Sequence, residues 1–391
     1  MRLATAGIPS RFNSPVVGIV TREQMPSEAR ANRILITDLV AEESADLSGY
    51  SGFLTTVKLE SPHNSTPTIH SVREIDHLRQ NYIVVMEPRD GFIRTLYRPD
   101  SRHNVIVATE RCNSNCLMCS QPPQDRDDAE AMTERNLKVI KLIQEPPEQL
   151  IVSGGEPTLL GEKFFSILKA LKERLPQTRV LVLSNGRAFA WSGFTARIAA
   201  IEHPNLIFGI PLYSDDSRVH DYVVQAKGAF DQTVVGFHQL ARYGIRTEVR
   251  VVLHAITIPR LPQLAEYIYR NLTFAEHIAF MGLENIGYAP RNMDSLWIDP
   301  HDYQDQLESA VEVLTTRMMN VSIYNHQLCV LRKSLWKFAR QSISDWKNIY
   351  LEQCENCAVK SECGGFFQWA TKLHSKYIHA LEVQPNVCET S

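Results

Sequence analysis

The cysteines of this 391-residue chain fall into two groups whose spacing suggests metal chemistry. The first group has C-x3-C-x2-C spacing within the segment TERCNSNCLMCS and comprises Cys112, Cys116 and Cys119. The second has C-x2-C-x5-C spacing within CENCAVKSECGGFF and comprises Cys354, Cys357 and Cys363. Two further cysteines, Cys329 and Cys388, lie in the same quarter of the chain. Thiolates clustered this closely in a reducing compartment are typical of metal ligands.

Composition indicates a globular protein of two or three domains. Hydrophobic residues make up 44% of the chain and charged residues 22%, which excludes disordered and collagen-like classes. The formal charge of −3 provides no strong overall field for nucleic acid or anionic membranes. No N-terminal segment reads as a signal peptide, and no run of about 20 apolar residues could span a membrane. We therefore expect a cytosolic protein without nucleic-acid or membrane partners.

The first cysteine group is suited to an iron-sulfur cluster. Three thiolates on one loop can bind three irons of a 4Fe-4S cube, which leaves one iron open to a ligand that is not protein. An open metal position indicates chemistry rather than scaffolding. The alternative is a structural zinc site with His103 or Cys329 as the fourth ligand, although zinc sites usually pair C-x2-C with a distant second pair.

The cysteine loop begins where the first of several β/α units ends. Between residues 104 and 283, short β-rich runs alternate with amphipathic stretches, which predicts a parallel sheet covered by helices. The predicted strands are 104–109, 149–153, 179–184, 205–213, 246–255 and 276–283. Predicted helices follow at 132–144 with Thr133 as the cap, 162–175, 192–201, 229–244 and 261–272. Six such units curl into a partial barrel, with chemistry expected at the loops that follow the strands.

The residue pattern outside the β/α units differs from that within them, which predicts three domains with boundaries near residues 100 and 290. Residues 1–100 read as a small β-rich domain with a hairpin near Pro88–Gly91, and its strand edges offer a place for an extended peptide. Residues 291–391 contain a helical segment, 303–319, and the second cysteine group.

Small polar segments follow three of the predicted strands. SGGEP, residues 153–157, combines two glycines with the carboxylate of Glu156, which suits a cationic partner. SNG, residues 184–186, offers groups that can bond ribose hydroxyls, and both segments alone would also fit ordinary turns. The loop 211–221 carries Asp215 and His220, which either move a proton for a substrate or belong to a solvated loop. His254 in the fifth strand is a further proton-transfer candidate.

The cysteine motif after the first strand resembles that of the radical SAM superfamily. The resemblance implies a partial (β/α)6 TIM-like barrel in which Cys112, Cys116 and Cys119 bind a 4Fe-4S cluster. The open iron then binds S-adenosylmethionine, with the GGEP segment at its ammonium group. The residue before the last cysteine is commonly aromatic in that family and is Met118 here. The resemblance implies cofactor contacts from Met118, Gly154, Gly155, Glu156, Pro157, Ser184, Asn185, Ser214, Arg250 and Glu284, with Asn285 and Tyr288 near the adenine side.

The second cysteine group resembles the auxiliary-cluster regions of SPASM or twitch type. Those regions occur in radical SAM enzymes that modify peptides. The tail has too few cysteines for two clusters, so we expect one auxiliary 4Fe-4S cluster held by Cys329, Cys354, Cys357 and Cys363. Cys388 is either a substitute fourth ligand or a spare, and zinc is the alternative metal.

The combination of ERCNSNCLMCSQPP, one C-terminal cluster motif ending in CGGFF and a β-rich N-terminal domain resembles the HxsC-type maturases of the His-Xaa-Ser repeat system. This implies a peptide precursor as substrate, an electron donor such as a flavodoxin or ferredoxin, and a second radical SAM protein as a partner. The alternatives are a protein-residue oxidase like the anaerobic sulfatase maturases and a non-enzymatic zinc-binding interaction protein. The cysteine count disfavours the former, and the latter leaves GGEP, SNG and the β/α units unexplained.

Overall fold

A computed structural model describes residues 3–38, 47–59, 66–341 and 349–382, and it contains two eight-stranded sheets. The first sheet is formed by β1 (Ala4–Ala6), β2 (Ile8–Ser10), β3 (Val16–Thr21), β4 (Arg33–Ile36), β5 (Gly52–Leu54), β6 (Thr68–His70), β7 (Ile83–Met86) and β8 (Phe92–Tyr97). The second is formed by β9 (Asn104–Val107), β10 (Gln149–Ser153), β11 (Arg179–Leu183), β12 (Leu206–Pro211), β13 (Arg246–Leu253), β14 (His277–Gly282), β15 (Val321–Tyr324) and β16 (Ala339–Arg340).

The second sheet is entirely parallel, and its strands lie side by side in chain order from β9 to β16. Helices connect the strands: α1 (Ala129–Leu142), α2 (Glu162–Arg174), α3 (Ser192–Ala199), α4 (Ser217–Val224), α5 (Ala229–Arg242), α6 (Leu261–Asn271), α7 (Met293–Leu296) and α8 (Gln304–Thr315). In α6 the buried residues recur at helical spacing, as Leu261, Leu264, Ala265 and Ile268. This helix therefore has one apolar face, and that face is buried in the large core cluster.

All six strands predicted between residues 104 and 283 are present, but the sheet continues further than predicted. β15 and β16 add two parallel strands after β14. These two strands carry little local signal, because β15 has four residues and β16 has two, too few for a recognisable period. The (β/α)6 unit is thus part of a longer open sheet.

The helix predictions agree with the structure within a few residues, with two differences. Helix α1 begins at Ala129, and Thr133 lies inside it with its hydroxyl donating to the Ala129 carbonyl (2.6 Å). The second half of the loop predicted at 211–221 is helical, because α4 begins at Ser217 and ends at Val224. Among the described residues, no helix is long and apolar enough to cross a membrane.

The first sheet closes on itself. β1 pairs with β8 at one end of the strand order, β2 pairs with β6 at the other, and only Gly7 separates β1 from β2. One bent strand therefore joins both ends into a barrel around an apolar interior. β7 and β8 form the hairpin predicted near Pro88–Gly91.

Among the described strands, β1 pairs only with β8 and β2 only with β6, so the use of these strand edges by an extended peptide stays a prediction. Two glycines make the corner possible. A Cβ on Gly7 would lie 2.5 Å from the His70 carbonyl oxygen, and a Cβ on Gly91, whose φ is +65°, would overlap the Gly7 carbonyl oxygen. The Gly7 N–H donates to the Gly91 carbonyl (3.1 Å), so the two backbones touch where the strand bends.

The barrel packs directly against the parallel-sheet unit. Val17 and Val85 on its outer face belong to the same buried cluster as Val139 and Ile140 of α1. This shared core means that the two parts stabilise one another. Removal of residues 1–95 would therefore expose the apolar face of α1.

Candidate functional site

The loop that carries the first three cysteines connects β9 to α1 at the carboxyl edge of the parallel sheet. Its start is fixed by Asp128, the residue before α1. One carboxylate oxygen of Asp128 accepts from the Thr109 hydroxyl (2.7 Å), and the other accepts from the Glu110 N–H (2.7 Å). The loop is therefore tied to the helix that follows it.

The SGGEP loop lies directly against the cysteine loop. The N–H of Gly155 donates to the Thr109 carbonyl (2.8 Å), and the N–H of Glu156 donates to the Arg111 carbonyl (2.7 Å). A Cβ on Gly154 or Gly155 would overlap the same two carbonyl oxygens. The glycine pair is thus explained by close backbone contact between the loops.

The SNG loop holds the middle of the cysteine loop. The Asn185 side chain donates to the Asn113 side chain (2.6 Å). Arg187, immediately after this segment, donates to the Asn113 carbonyl (2.6 Å) and the Ser114 hydroxyl (3.2 Å). Adjacent strand ends therefore place both predicted binding loops around the cysteines.

The segment after β14 supports the far end of the cysteine loop. The Tyr288 N–H donates to the Cys119 carbonyl (2.9 Å), and the Asn292 side chain donates to the Leu117 carbonyl (2.7 Å). A Cβ on Gly287 would overlap the Cys119 carbonyl oxygen. Tyr288 thus contacts this loop through its backbone.

The three thiols are close enough to influence one another. Burial raises the pKa of Cys112 to about 11 and that of Cys116 to about 12, and burial also raises the pKa of Cys119. Cys119 contributes to the raised pKa values of both other thiols, and Cys112 contributes to that of Cys116. Bound metal would favour the thiolate forms instead.

Glu156 is placed differently from the prediction. Its carboxylate is fully buried and joins the SGGEP loop to the SNG loop. One oxygen accepts from the Thr158 N–H (3.1 Å), the Thr158 hydroxyl (2.7 Å) and the Ser184 hydroxyl (2.8 Å), and the other accepts from the Asn185 N–H (2.7 Å). Direct contact between this carboxylate and an ammonium group does not agree with that placement. Burial raises its pKa, while the four hydrogen bonds act in the opposite direction.

A cavity of about 380 Å³ runs from the cysteine loop along one face of the parallel sheet. Three of the predicted cofactor residues line it: Met118, Arg250 and Glu284. The cavity lining does not include the other predicted residues Gly154, Gly155, Glu156, Pro157, Ser184, Asn185 and Ser214. Ser214 is almost fully buried, and its hydroxyl accepts a hydrogen bond from the Asp216 N–H (3.1 Å). Beside the cysteine loop, Ser120 and Leu283 line the same space.

Arg250 lines this cavity, where it is ion-paired. Its guanidinium donates to Glu248 (2.5 Å) and to the Met281 sulfur (3.1 Å), and Glu248 also contacts the His277 ring nitrogen (2.8 Å). The pKa of the buried Glu248 carboxyl is lowered to about 2 because the hydrogen bonds and charges of His277 and Arg250 outweigh the effect of burial. Glu248 therefore already compensates the positive charge that Arg250 would offer to a carboxylate.

The three proton-transfer candidates lie outside this cavity. Asp215 forms an ion pair with Arg260 (2.8 and 2.5 Å). His220 and His254 are 2% and 0% exposed, and burial lowers their pKa values to about 4 and about 3. Neutral, buried rings do not agree with the prediction that they move a substrate proton.

The second cysteine group surrounds its own small cavity. The thiol-bearing residues that line it are Cys329, Cys354, Cys357 and Cys363. The pKa of Cys329 is raised, first by burial and then by the closeness of the other three thiols. The structure therefore brings Cys329 into this group across 25 residues of chain, whereas Cys388 lies outside the described residues.

The thiols at both sites suit an iron-sulfur cluster in number and burial. Among the described residues, no three cysteine, histidine, aspartate or glutamate side chains converge as ligands of a single ion. A cubic cluster takes one thiolate for each iron, so its ligands surround a common space rather than one ion. Three thiolates at the first site would leave one iron open, and four at the second would leave none.

Sequence reasoning missed several residues that build the site. Asp128, Arg187 and Asn292 fix the cysteine loop, and Glu248 pairs with Arg250. Arg187 could have been noticed because it directly follows SNG, and Glu248 because it lies two residues before Arg250 on the same strand face. Asn292 carried no signal, since 175 residues separate it from its partner.

The cysteine loop, enclosed by glycine-rich and polar loops, lies at the carboxyl edge of the parallel sheet, where α/β proteins of this kind carry their active sites. Residues 106–268 match the family model of the Radical SAM superfamily. The match begins in β9 and covers the cysteine, SGGEP and SNG loops. This segment is therefore similar to a radical SAM domain, and that family implies a 4Fe-4S cluster and S-adenosylmethionine.

Known proteins resemble parts of the chain. A curated relative, a probable GTP 3′,8-cyclase from Methanocella arvoryzae, is 26% identical over 167 residues, which cover 42% of this chain and 52% of the relative. The structure of Streptococcus suis SuiB bound to precursor peptide SuiA is 16% identical, with a TM-score of 0.46. The matched region covers 57% of this chain and 49% of that chain. The Escherichia coli radical SAM enzyme coproporphyrinogen III oxidase, HemN, is 14% identical, with a TM-score of 0.44 and coverages of 56% and 54%. The chain spans about half the length of each.

Proposed function

We propose that this protein is a radical SAM enzyme that reductively cleaves S-adenosylmethionine. One observation carries the proposal: within the matched segment, the C-x3-C-x2-C loop is hydrogen-bonded to SGGEP at the carboxyl edge of the sheet. Cys112, Cys116 and Cys119 would hold the cluster. The cluster would supply the electron that cleaves the cofactor into methionine and a deoxyadenosyl radical.

The chain's own residues would position the cofactor and exclude water. Backbone contacts of Gly155 and Glu156 hold the SGGEP loop against the cysteine loop, and the Glu156 carboxylate fixes SNG beside it. The cavity below offers the thioether of Met118 and apolar walls that include Val252 and Leu283. The apolar part of this wall suits a reactive intermediate because it keeps water from competing reactions there.

The substrate that we propose is a ribosomally made peptide of the His-Xaa-Ser repeat type. Support comes from the sequence resemblance to HxsC-type maturases and from the second thiol group in the tail. With four thiols around one cavity, the auxiliary 4Fe-4S cluster would be fully ligated by protein. It would then accept an electron from the product radical rather than bind the peptide. The partners would be the precursor peptide, a flavodoxin or ferredoxin, and a second radical SAM protein.

The first test is iron content and cofactor cleavage in protein purified without oxygen. Two 4Fe-4S clusters correspond to about eight irons per chain, and replacement of Cys112, Cys116 and Cys119 by Ala should remove about half. With a strong reductant, the parent should release deoxyadenosine and the triple variant should not. Full iron retention in the triple variant would refute the assignment of these ligands.

The second test separates the auxiliary ligands. Cys329→Ser should lower the iron content of the tail site, while Cys388→Ser should not, because Cys329 lines the thiol cavity. Stoichiometric zinc in place of the second four irons would refute an auxiliary iron-sulfur cluster. For the substrate, mass spectrometry should show modification of a His-Xaa-Ser repeat peptide only when the partner proteins and S-adenosylmethionine are present. Cleavage of the cofactor without modification of any such peptide in the full system would refute the peptide assignment alone.

A further inference from the structure

A second polar cavity lies where the N-terminal barrel meets the parallel-sheet unit. It has a volume of about 120 Å³ and is lined by residues of β8, β9 and α1. The lining includes no described cysteine and none of the cofactor or proton-transfer residues predicted from the sequence. Val105, one of the lining residues, is 36% exposed, so the cavity reaches the surface.

Two polar side-chain atoms of this lining are buried without a hydrogen-bond partner. One is Nε of Arg135 in α1, and the other is the hydroxyl oxygen of Thr95 in β8. Asn136 also lines the cavity, but its side-chain amide donates to the Val107 carbonyl (2.8 Å). Buried polar groups in folded proteins are normally paired, and a guanidinium can only donate. The cavity therefore presents two donors that need an acceptor.

The positive charge of Arg135 has no contact partner either. Among the described residues, its side chain forms no ion pair and no hydrogen bond. Two nearby acids are engaged elsewhere, since Glu110 pairs with Arg126 and Asp128 accepts from the Glu110 N–H (2.7 Å). Burial lowers the pKa of Arg135, and the favourable charges of Glu87, Glu110 and Asp128 do not outweigh this effect. The buried charge thus lacks a counterion.

An oxyanion is the ligand chemistry that matches these features. The guanidinium holds Nε and a terminal nitrogen in one plane, and this edge fits two oxygens of a carboxylate or a phosphate group. A neutral carbonyl would accept a hydrogen bond but leave the charge uncompensated, and a cation would be repelled. The size agrees, because a cavity of about 150 Å³ is sufficient for benzene.

We propose that this cavity binds a small oxyanion between Arg135 and Thr95. Arg135 donates to two of its oxygens, and the Thr95 hydroxyl donates to the same group. Because Arg135 lies in α1 and Thr95 in β8, the bound anion links the parallel-sheet unit to the N-terminal barrel. The oxyanion is either free phosphate or a carboxylate carried by a peptide or protein. The site requires no cluster and is independent of the proposed function.

Calorimetric titration of the full-length protein, purified without oxygen, measures the binding. The probes are inorganic phosphate and, separately, acetate, at constant ionic strength in chloride buffer. We expect saturable binding of one anion per chain, with phosphate tighter if the natural ligand is a phosphate and acetate tighter if it is a carboxylate. Arg135→Leu should abolish binding. Thr95→Val keeps the shape of the side chain and should weaken binding about two- to tenfold, since it removes one hydrogen bond.

Lys141→Leu is the matched control, because it removes one positive charge from an exposed position of the same helix and should bind as the parent does. Saturating anion should also raise the urea midpoint of the parent and of Lys141→Leu, but not that of Arg135→Leu. An equal rise in all three proteins would reflect a general salt effect and would overturn the proposal.

Two binding results would also overturn it: no saturable binding of either anion to the parent, or equal binding by Arg135→Leu. If Arg135→Leu does not fold, Thr95→Val decides, because an affinity equal to that of the parent would place the anion elsewhere.

Discussion

Glu156→Gln tests how the two binding loops are held together. The Glu156 carboxylate accepts three hydrogen bonds at one oxygen and one at the other, all from residues of the SGGEP and SNG loops. Glutamine has the same shape but replaces one oxygen by an N–H donor. In its better orientation the amide nitrogen takes the position of Oε2, where it faces the N–H of Asn185. The substitution therefore loses the hydrogen bond from the Asn185 N–H and places that N–H against the amide N–H of glutamine.

The expected cost follows from these contacts. A hydrogen bond to a charged group contributes about 1.5–3 kcal/mol, and the three bonds to the remaining oxygen become neutral and weaker. Removal of a buried negative charge offsets part of this loss, as the raised pKa of Glu156 indicates. We expect a net decrease of roughly 2 kcal/mol in the free energy of unfolding. If about 1.4 kcal/mol of this loss falls on the loops that bind S-adenosylmethionine, the affinity for that cofactor should decrease about tenfold.

Urea unfolding followed by tryptophan fluorescence measures the first quantity, and calorimetric titration with S-adenosylmethionine measures the second. Glu162→Gln is the matched control, because the side chain of Glu162 is 79% exposed and pairs with Arg197 at the surface. Such pairs contribute at most about 1 kcal/mol, so the control should change neither measurement appreciably. Parent-like stability of Glu156→Gln would show that the carboxylate does not brace the loops. If Glu156→Gln binds the cofactor more weakly but is as stable as the parent, the carboxylate contacts the cofactor directly.

Two further predictions concern the barrel corner and acid sensitivity. Gly91→Ala should lower the free energy of unfolding by about 2–4 kcal/mol, because the new Cβ would overlap the Gly7 carbonyl oxygen and φ is positive there. Gly193→Ala is the control, since a Cβ at Gly193 meets open space, and it should change this free energy by less than about 1 kcal/mol. Thermal unfolding of both variants measures the difference. Burial lowers the pKa of His326 to about 4, so between pH 6.5 and 4 the unfolded chain binds a proton there that the folded protein does not, and stability falls as pH falls. His326→Gln should reduce that slope by about 1.4 kcal/mol per pH unit in urea titrations, and an unchanged slope would mean that this ring is protonated in the folded state.

The local sequence determined the chemistry-bearing loops and the elements that carry them. Strands between residues 104 and 283 were predictable because apolar runs alternate with amphipathic stretches, and each run is long enough to show its period. The cysteine loop and SGGEP follow such strands directly. Parallel connectivity then places them at one edge of the sheet, so the site could be located from spacing alone.

Contacts between distant residues were decided only by the tertiary structure. The closure of the N-terminal barrel depends on a bend at Gly7 that pairs β1 with β8 and β2 with β6, and no local pattern encodes two such partners. Glu156 was predicted to face a ligand, but its buried carboxylate links the SGGEP and SNG loops. His220 was predicted to move a proton, but its buried ring accepts a hydrogen bond from the Tyr213 N–H. Sequence specifies which groups are present, but their exposure and partners depend on how separate elements pack, and those partners decide what each group can do.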